Sequence, residues 1–160
     1  MRYLSTAVLI GFAATASAAP DYRTIRMEIA VNRPASEVWA KVGQYCDISK
    51  WLDVDCKIIS GNGGIGTVRS LAHGRVLEIL VGETNLSYGY TQPPTNGAFY
   101  NLYHGFLEAR PVTRSTSEIV YTLFYDVGDK PDEAAKQADL TQRRNRFEAA
   151  LKKMKQIAER

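Results

Sequence analysis

Thr67-Val68-Arg69-Ser70-Leu71-Ala72-His73-Gly74-Arg75-Val76-Leu77-Glu78-Ile79-Leu80-Val81 reads as two strands, Thr67–Leu71 and Arg75–Val81, joined by a tight turn. Apolar and β-branched residues flank His73-Gly74, a two-residue hairpin signal. With Ala72 and Arg75 on either side of the turn, Arg69 falls directly opposite Glu78, within reach of a cross-strand ion pair. Thr67, Arg69, Leu71, Val76, Glu78 and Leu80 share one face of this hairpin. Val68, Leu77, Ile79 and Val81 share the other, which is the more apolar. Periodicity alone therefore turns Arg69 and Glu78 toward solvent, where such a pair is worth little.

Strand patterns continue on both sides. Lys57–Ser60 leads into the loop Gly61-Asn62-Gly63-Gly64-Ile65-Gly66. Asn85–Thr91 carries tyrosines and stops before Pro93-Pro94, and Tyr100–Ala109 and Glu118–Tyr125 are two longer strands. Asn85-Leu86-Ser87 is a formal glycosylation sequon, discounted because it falls within an expected strand. Upstream, Ile25, Met27, Ile29 and Val31 lie on one parity of residues 22–32, as in a strand with one buried face. A helix then starts near Pro34, with Val38, Trp39 and Val42 as its apolar stripe and Gly43 limiting its length. A second short helix covers about Asp47–Leu52. At the other end, Pro131–Ala158 is one long helix with Leu140, Phe147, Leu151, Met154 and Ala158 on one face. Asp132 and Glu133 open it, and Lys152, Lys153, Lys155 and Arg160 lie near its end, an order suited to the helix dipole. The order is strand, two short helices, six strands, long helix. It implies an α+β fold in which a seven-stranded curved antiparallel sheet wraps around the C-terminal helix and leaves an interior cavity.

The chain has 160 residues, 45% hydrophobic and 23% charged, which suits one globular domain and excludes disorder. A formal charge of +3 without a long basic run does not by itself suggest a nucleic-acid binder. Residues 1–19 read as a signal peptide, with Arg2, an apolar stretch from Leu4 to Ala16, and Ala16-Ser17-Ala18 as the cleavage sequence. That stretch is too short to cross a bilayer core of about 30 Å, and no later segment could span one. The expectation is an exported protein, periplasmic or secreted and soluble after cleavage near Ala18, with residues 20–160 as its one folded domain. In an oxidising compartment Cys46 and Cys56, ten positions apart, are expected to form a disulfide, the alternative being two buried thiols. His73 and His104 have no Cys, Asp or Glu nearby at ligand spacing, so neither a metal nor another cofactor is expected. The glycine-rich loop opens a strand rather than a helix and lacks the Lys-Ser/Thr of a phosphate loop; it reads as a tight connection over the cavity.

The element order and several local motifs together resemble the helix-grip superfamily, also called SRPBCC, of START domains, plant Bet v 1-type allergens and bacterial polyketide cyclase/dehydrase-like proteins. Gly61–Val68 is similar to the Bet v 1-type glycine loop. The bacterial branch is matched by Pro34-Ala35-Ser36-Glu37-Val38-Trp39, Trp51, Gly66-Thr67-Val68-Arg69, Gly74-Arg75-Val76-Leu77-Glu78, Tyr88-Gly89-Tyr90 and Tyr103 to Leu107. Two positions depart from that pattern: Tyr121 stands where a Trp is usual, and Trp51-Leu52-Asp53 replaces Trp-His-Pro.

The resemblance turns Arg69 and Glu78 inward, against the reading from periodicity. It implies a cavity lined by Arg69, Glu78, Tyr88, Tyr90, Tyr103, Tyr121, Tyr125 and Trp51, whose rings and hydroxyls would suit a small hydrophobic or amphipathic molecule; ordinary core packing is the alternative for each ring. The function implied first is a periplasmic binder or carrier of such a molecule. Two others follow: a cyclase- or dehydratase-like enzyme using Glu78 with Arg69 or a tyrosine, and an accessory protein docking on a periplasmic partner. No nucleic acid and no stable membrane insertion are expected.

Overall fold

A computed structural model describes residues 19–93 and 102–160. The leader as far as Ala18 and the expected strand start at Tyr100 lie outside the described residues. The elements are β1 (Tyr22–Val31), α1 (Ala35–Val42), α2 (Ile48–Trp51), β2 (Cys56–Ser60), β3 (Val68–Leu71), β4 (Val76–Thr84), β5 (Ser87–Thr91), β6 (Tyr103–Pro111), β7 (Ser117–Asp126) and α3 (Glu133–Glu159).

The strands form one antiparallel sheet in the order β1-β7-β6-β5-β4-β3-β2. Irregularities between Ile58 and Ser60 and between Leu80 and Gly82 bend the sheet, as bulges do. The concave face grips α3, whose buried residues are Phe147, Ala150, Leu151, Met154 and Ala158. This is the expected α+β helix-grip architecture. Leu140 is only half-buried, so the apolar stripe of α3 is confined to its C-terminal half.

The β3–β4 hairpin has the expected register, with Arg69 opposite Glu78 and Leu71 opposite Val76. Its turn is more wound than a two-residue loop, because Ala72, His73 and Gly74 all take positive φ (52°, 57° and 86°). Two of the three carry a Cβ, which that region disfavours. The Asp55 carboxylate accepts the His73 N–H at 3.0 Å and holds the turn from the entry to β2.

Local chemistry departs from expectation at several ends. Gly43 closes α1 without a left-handed cap; its φ is −92°. Glycine is needed there because the Trp39 ring lies against its α-carbon, and an added Cβ would come within 2.3 Å of it. Asp132 is the α3 N-cap, accepting the Ala135 N–H at 2.8 Å. At the other end the cations that meet the α3 carbonyls come from elsewhere: Lys41 donates to Ala158 O at 2.9 Å and Arg33 to Glu159 O at 3.2 Å. Of the C-terminal lysines, Lys155 reaches sideways to Ala30 O on β1 at 2.8 Å. Asn85 lies exposed in the turn between β4 and β5, not within a strand.

Cys46 and Cys56 form a disulfide, with 5.5 Å between their Cα atoms. It ties the segment between α1 and α2 to the first residue of β2. In the chain-entropy account, closing a loop of this length stabilises the fold by roughly 2–3 kcal/mol.

Candidate functional site

Between the sheet and the N-terminal half of α3 lies a cavity of about 560 Å³. Ile48, Leu52 and Val54 form its wall on the α2 side. The hairpin contributes Leu71, Ala72, Arg75, Val76 and Glu78, and Tyr90, Gln92 and Tyr103 come from β5 and β6. From α3 come Asp139, Gln142, Arg143, Arg146 and Phe147. Arg75, Gln142 and Arg146 are exposed, so the cavity opens to solvent between the hairpin turn and α3.

Arg69 and Glu78 are buried, at 0% and 3% exposure, which overturns the outward reading from periodicity. The more polar face turns inward because everything it needs is there. The Glu78 Oε2 accepts the Arg69 Nε–H at 2.8 Å and lies 2.6 Å from Nη2. Arg69 Nη1 donates to the Tyr45 carbonyl. The guanidinium lies 4.1 Å from the Tyr45 ring centroid, 5.0 Å from Tyr90 and 5.6 Å from Tyr88, a cation inside an aromatic cage. Val68, Leu77 and Ile79, on the opposite face, are only half-buried.

The eight residues expected at the site divide into two groups. Glu78, Tyr90 and Tyr103 line the cavity. Arg69, Tyr88, Tyr121, Tyr125 and Trp51 do not line it; they form the layer that supports those three. The Tyr121 hydroxyl bonds the Tyr90 hydroxyl at 2.8 Å, and its ring packs on Phe147 with centroids 4.6 Å apart. Tyr125 donates to Asp139 Oδ2 at 2.9 Å. The Trp51 ring meets Tyr121 edge-on, and its N–H donates to Val42 O at 3.3 Å. Tyr88 packs against Trp39, Tyr45 and Tyr90. Tyr90 can cross the sheet because Gly105 stands opposite it on β6; a Cβ there would lie 2.2 Å from the ring. The glycine-rich loop does not cover this cavity. Its Gly63 borders a separate hollow of about 110 Å³ beside Trp39, Tyr45 and Tyr88.

Electrostatics follow from burial. Burial pushes the Tyr90 and Tyr121 hydroxyls well above the ordinary range, with the Glu78 carboxylate adding to both. Burial also pushes Tyr103 up to about 12, against the pull of Arg143. These phenols are therefore neutral donors and acceptors at neutral pH. Burial works against a charged Asp139, but hydrogen bonds from Arg143 and Tyr125 outweigh it and hold the carboxyl below its usual range. Both oxygens of Glu78 are engaged, Oε2 by Arg69 and Oε1 by Gln92 at 3.1 Å.

Arg75, Gln92, Asp139, Gln142, Arg143 and Arg146 were not anticipated as lining residues. The signal for the α3 members is the polar run Asp139, Gln142, Arg143, Arg146 ahead of Phe147, where the helix loses its apolar stripe. Among the described residues, no group of three or more His, Cys, Asp or Glu is placed to hold a metal, and no helix is long and apolar enough to cross a membrane.

No protein-family profile and no curated protein matches the sequence. Solved structures do match. The aromatase/cyclase Zhui from Streptomyces sp. R1128 superposes with a TM-score of 0.67 at 19% identity, over 88% of this chain and 95% of that one. Ara h 8.0201 gives 0.63 at 19% identity, over 86% and 98%. A Thermobifida fusca protein gives 0.66 at 22% identity, over 82% and 90%. At such identities the likeness establishes the helix-grip fold.

Proposed function

We propose that this protein binds a small hydrophobic or amphipathic molecule in the cavity between the sheet and the C-terminal helix, and does so after export. The observation that carries the binding reading is the cavity itself. Its 560 Å³ falls within the ~300–1,000 Å³ of small-molecule sites, and an apolar floor meets a few converging polar groups. Glu78, Gln92, Tyr90 and Tyr103 are the polar contacts proposed for the ligand.

Holding fits the geometry better than turnover. Two carboxylates line the cavity and both are tied, Glu78 to Arg69 and Gln92 and Asp139 to Arg143 and Tyr125. The neighbouring phenols have proton affinities too high for a base near neutrality.

Export is supported by the disulfide. Among the described residues, the tertiary hydrogen bonds begin with Asp21, whose N–H donates to Asp126 Oδ1 at 2.8 Å and whose carbonyl accepts from Val127. Removal of residues 1–19 would leave that network whole. The test is native mass spectrometry of the protein recovered from cells that export it. A small-molecule adduct released by organic solvent, on a chain beginning near residue 20 and two hydrogen atoms lighter for the disulfide, is the expected result. A chain without adduct that also fails to bind apolar fluorescent dyes would overturn the binding reading.

A further inference from the structure

We infer that the occupant of this cavity is an amphipathic acid, its apolar body inside and its anionic group held at the mouth by Arg75 and Arg146; the inference rests on the cavity-binding reading above. Five charged side chains line the cavity: Arg75, Glu78, Asp139, Arg143 and Arg146. One of the three lining cations has an anionic partner, and both lining carboxylates are engaged. Arg143 donates to Asp139 at 2.8 Å, and Glu78 is satisfied from behind by Arg69. Arg143 is further held over the rings of Tyr125 and Tyr103, at 4.6 and 5.3 Å.

Arg75 and Arg146 remain. Among the described residues, Arg75 uses only its Nε, donating to the Ala72 carbonyl at 3.0 Å. That bond fixes the arm at the hairpin turn and leaves the two terminal nitrogens open. Arg146 enters no hydrogen bond and no ion pair among the described residues. Its helix explains why. The neighbours three and four positions away are Arg143, Gln142, Ala149 and Ala150, none of them acidic. Other cations of α3 have such a partner: Arg143 has Asp139, Arg144 has Glu148, and Lys155 has Glu159. Placing Arg146 three residues from Arg143 costs the helix a little rather than stabilising it.

Among the described residues, one guanidinium without an anionic partner thus comes from the sheet side of the opening and one from the helix side. Below them are Leu52, Leu71, Val76 and Phe147. A carboxylate at the rim would take bidentate, charge-assisted hydrogen bonds from these forks while its chain filled the apolar floor. Neither arginine has to leave a partner to do so.

The experiment displaces the neutral dye 1-aminoanthracene from the oxidised protein with dodecanoic acid and with 1-dodecanol, at pH 8 and low salt. The acid is expected to bind at least ~10-fold tighter than the alcohol, as a charge-assisted contact implies. The preference should shrink in high salt. In the double variant Arg75→Gln/Arg146→Gln it should fall to within ~2-fold, with dodecanol binding unchanged, which also shows that the variant is folded. Equal affinities in the wild type would overturn this inference and leave the cavity-binding reading standing. A preference that survives in the double variant would overturn the assignment to these two arginines. Failure of the dye and both competitors to bind would overturn both readings.

Discussion

Replacing Glu78 by Gln should expose how much of this fold depends on one buried charge pair. Arg69 is fully buried, and its charge is met by one carboxylate, one backbone carbonyl and three ring faces. Glu78→Gln keeps the shape and can still face Gln92, but it removes the only anion in contact with the guanidinium among the described residues. Breaking a buried pair on one side costs about 3–5 kcal/mol, because the remaining charge is left uncompensated in a low-dielectric site. For a domain of this size that lowers Tm by about 10 °C or more. Urea denaturation and thermal melts of the oxidised protein measure it. The pair Arg69→Met/Glu78→Leu is the control, since an apolar replacement of both partners leaves no buried charge. It should be more stable than Glu78→Gln even though the Tyr45 carbonyl loses its donor. If Glu78→Gln shifted the urea-derived stability by less than about 1 kcal/mol, water in the cavity would be screening the pair, and the argument for a desolvated Arg69 would fail.

Cys46→Ser/Cys56→Ser should lose roughly 2–3 kcal/mol, and reducing agent should shift the wild type by a similar amount while leaving the variant unmoved; an equal response of both would mean that the bridge is not the cause. Gly105→Ala drives a methyl into the Tyr90 ring and should cost about 1–3 kcal/mol, with dye binding weakened because Tyr90 is part of the cavity wall; unchanged melting and unchanged binding would contradict the packing described. Hydrogen bonds from Arg23 and Lys136 hold the Asp21 carboxyl well below the usual carboxylate range. A group whose folded-state value is depressed stabilises the fold above its unfolded value and loses that effect as pH falls through the folded one. Asp21→Asn should therefore melt below the wild type at neutral pH, with the two curves converging below about pH 4; a gap that stays constant in acid would refute the link.

The fold was legible because its signals are local. Alternation marks β1, the His73-Gly74 turn sets a register that puts Arg69 against Glu78, and the apolar stripe from Phe147 onward marks the packed half of α3. Each depends on residues a few positions apart, so a linear reading captures it. The same reading turned the β3–β4 hairpin inside out. Counting apolar residues on two faces assumes that a charge must seek water. It cannot register that Tyr45, Tyr88 and Tyr90, from segments far apart in the chain, assemble a cage for one guanidinium.

The cavity shows the division most clearly. Sequence by itself determined which tyrosines share a face of the sheet, since strand parity decides that for Tyr88 and Tyr90 and for Tyr121 and Tyr125. Only the tertiary structure decided that Tyr90 and Tyr103 reach the open space while Tyr88, Tyr121 and Tyr125 stay behind in the supporting layer. It also decided that the mouth belongs to Arg75, Gln142 and Arg146. The physical reason is that a cavity is what packing leaves unfilled. Its walls depend on how the sheet bends and where α3 crosses it, and both are set by contacts between residues too distant in the chain for any local pattern to record.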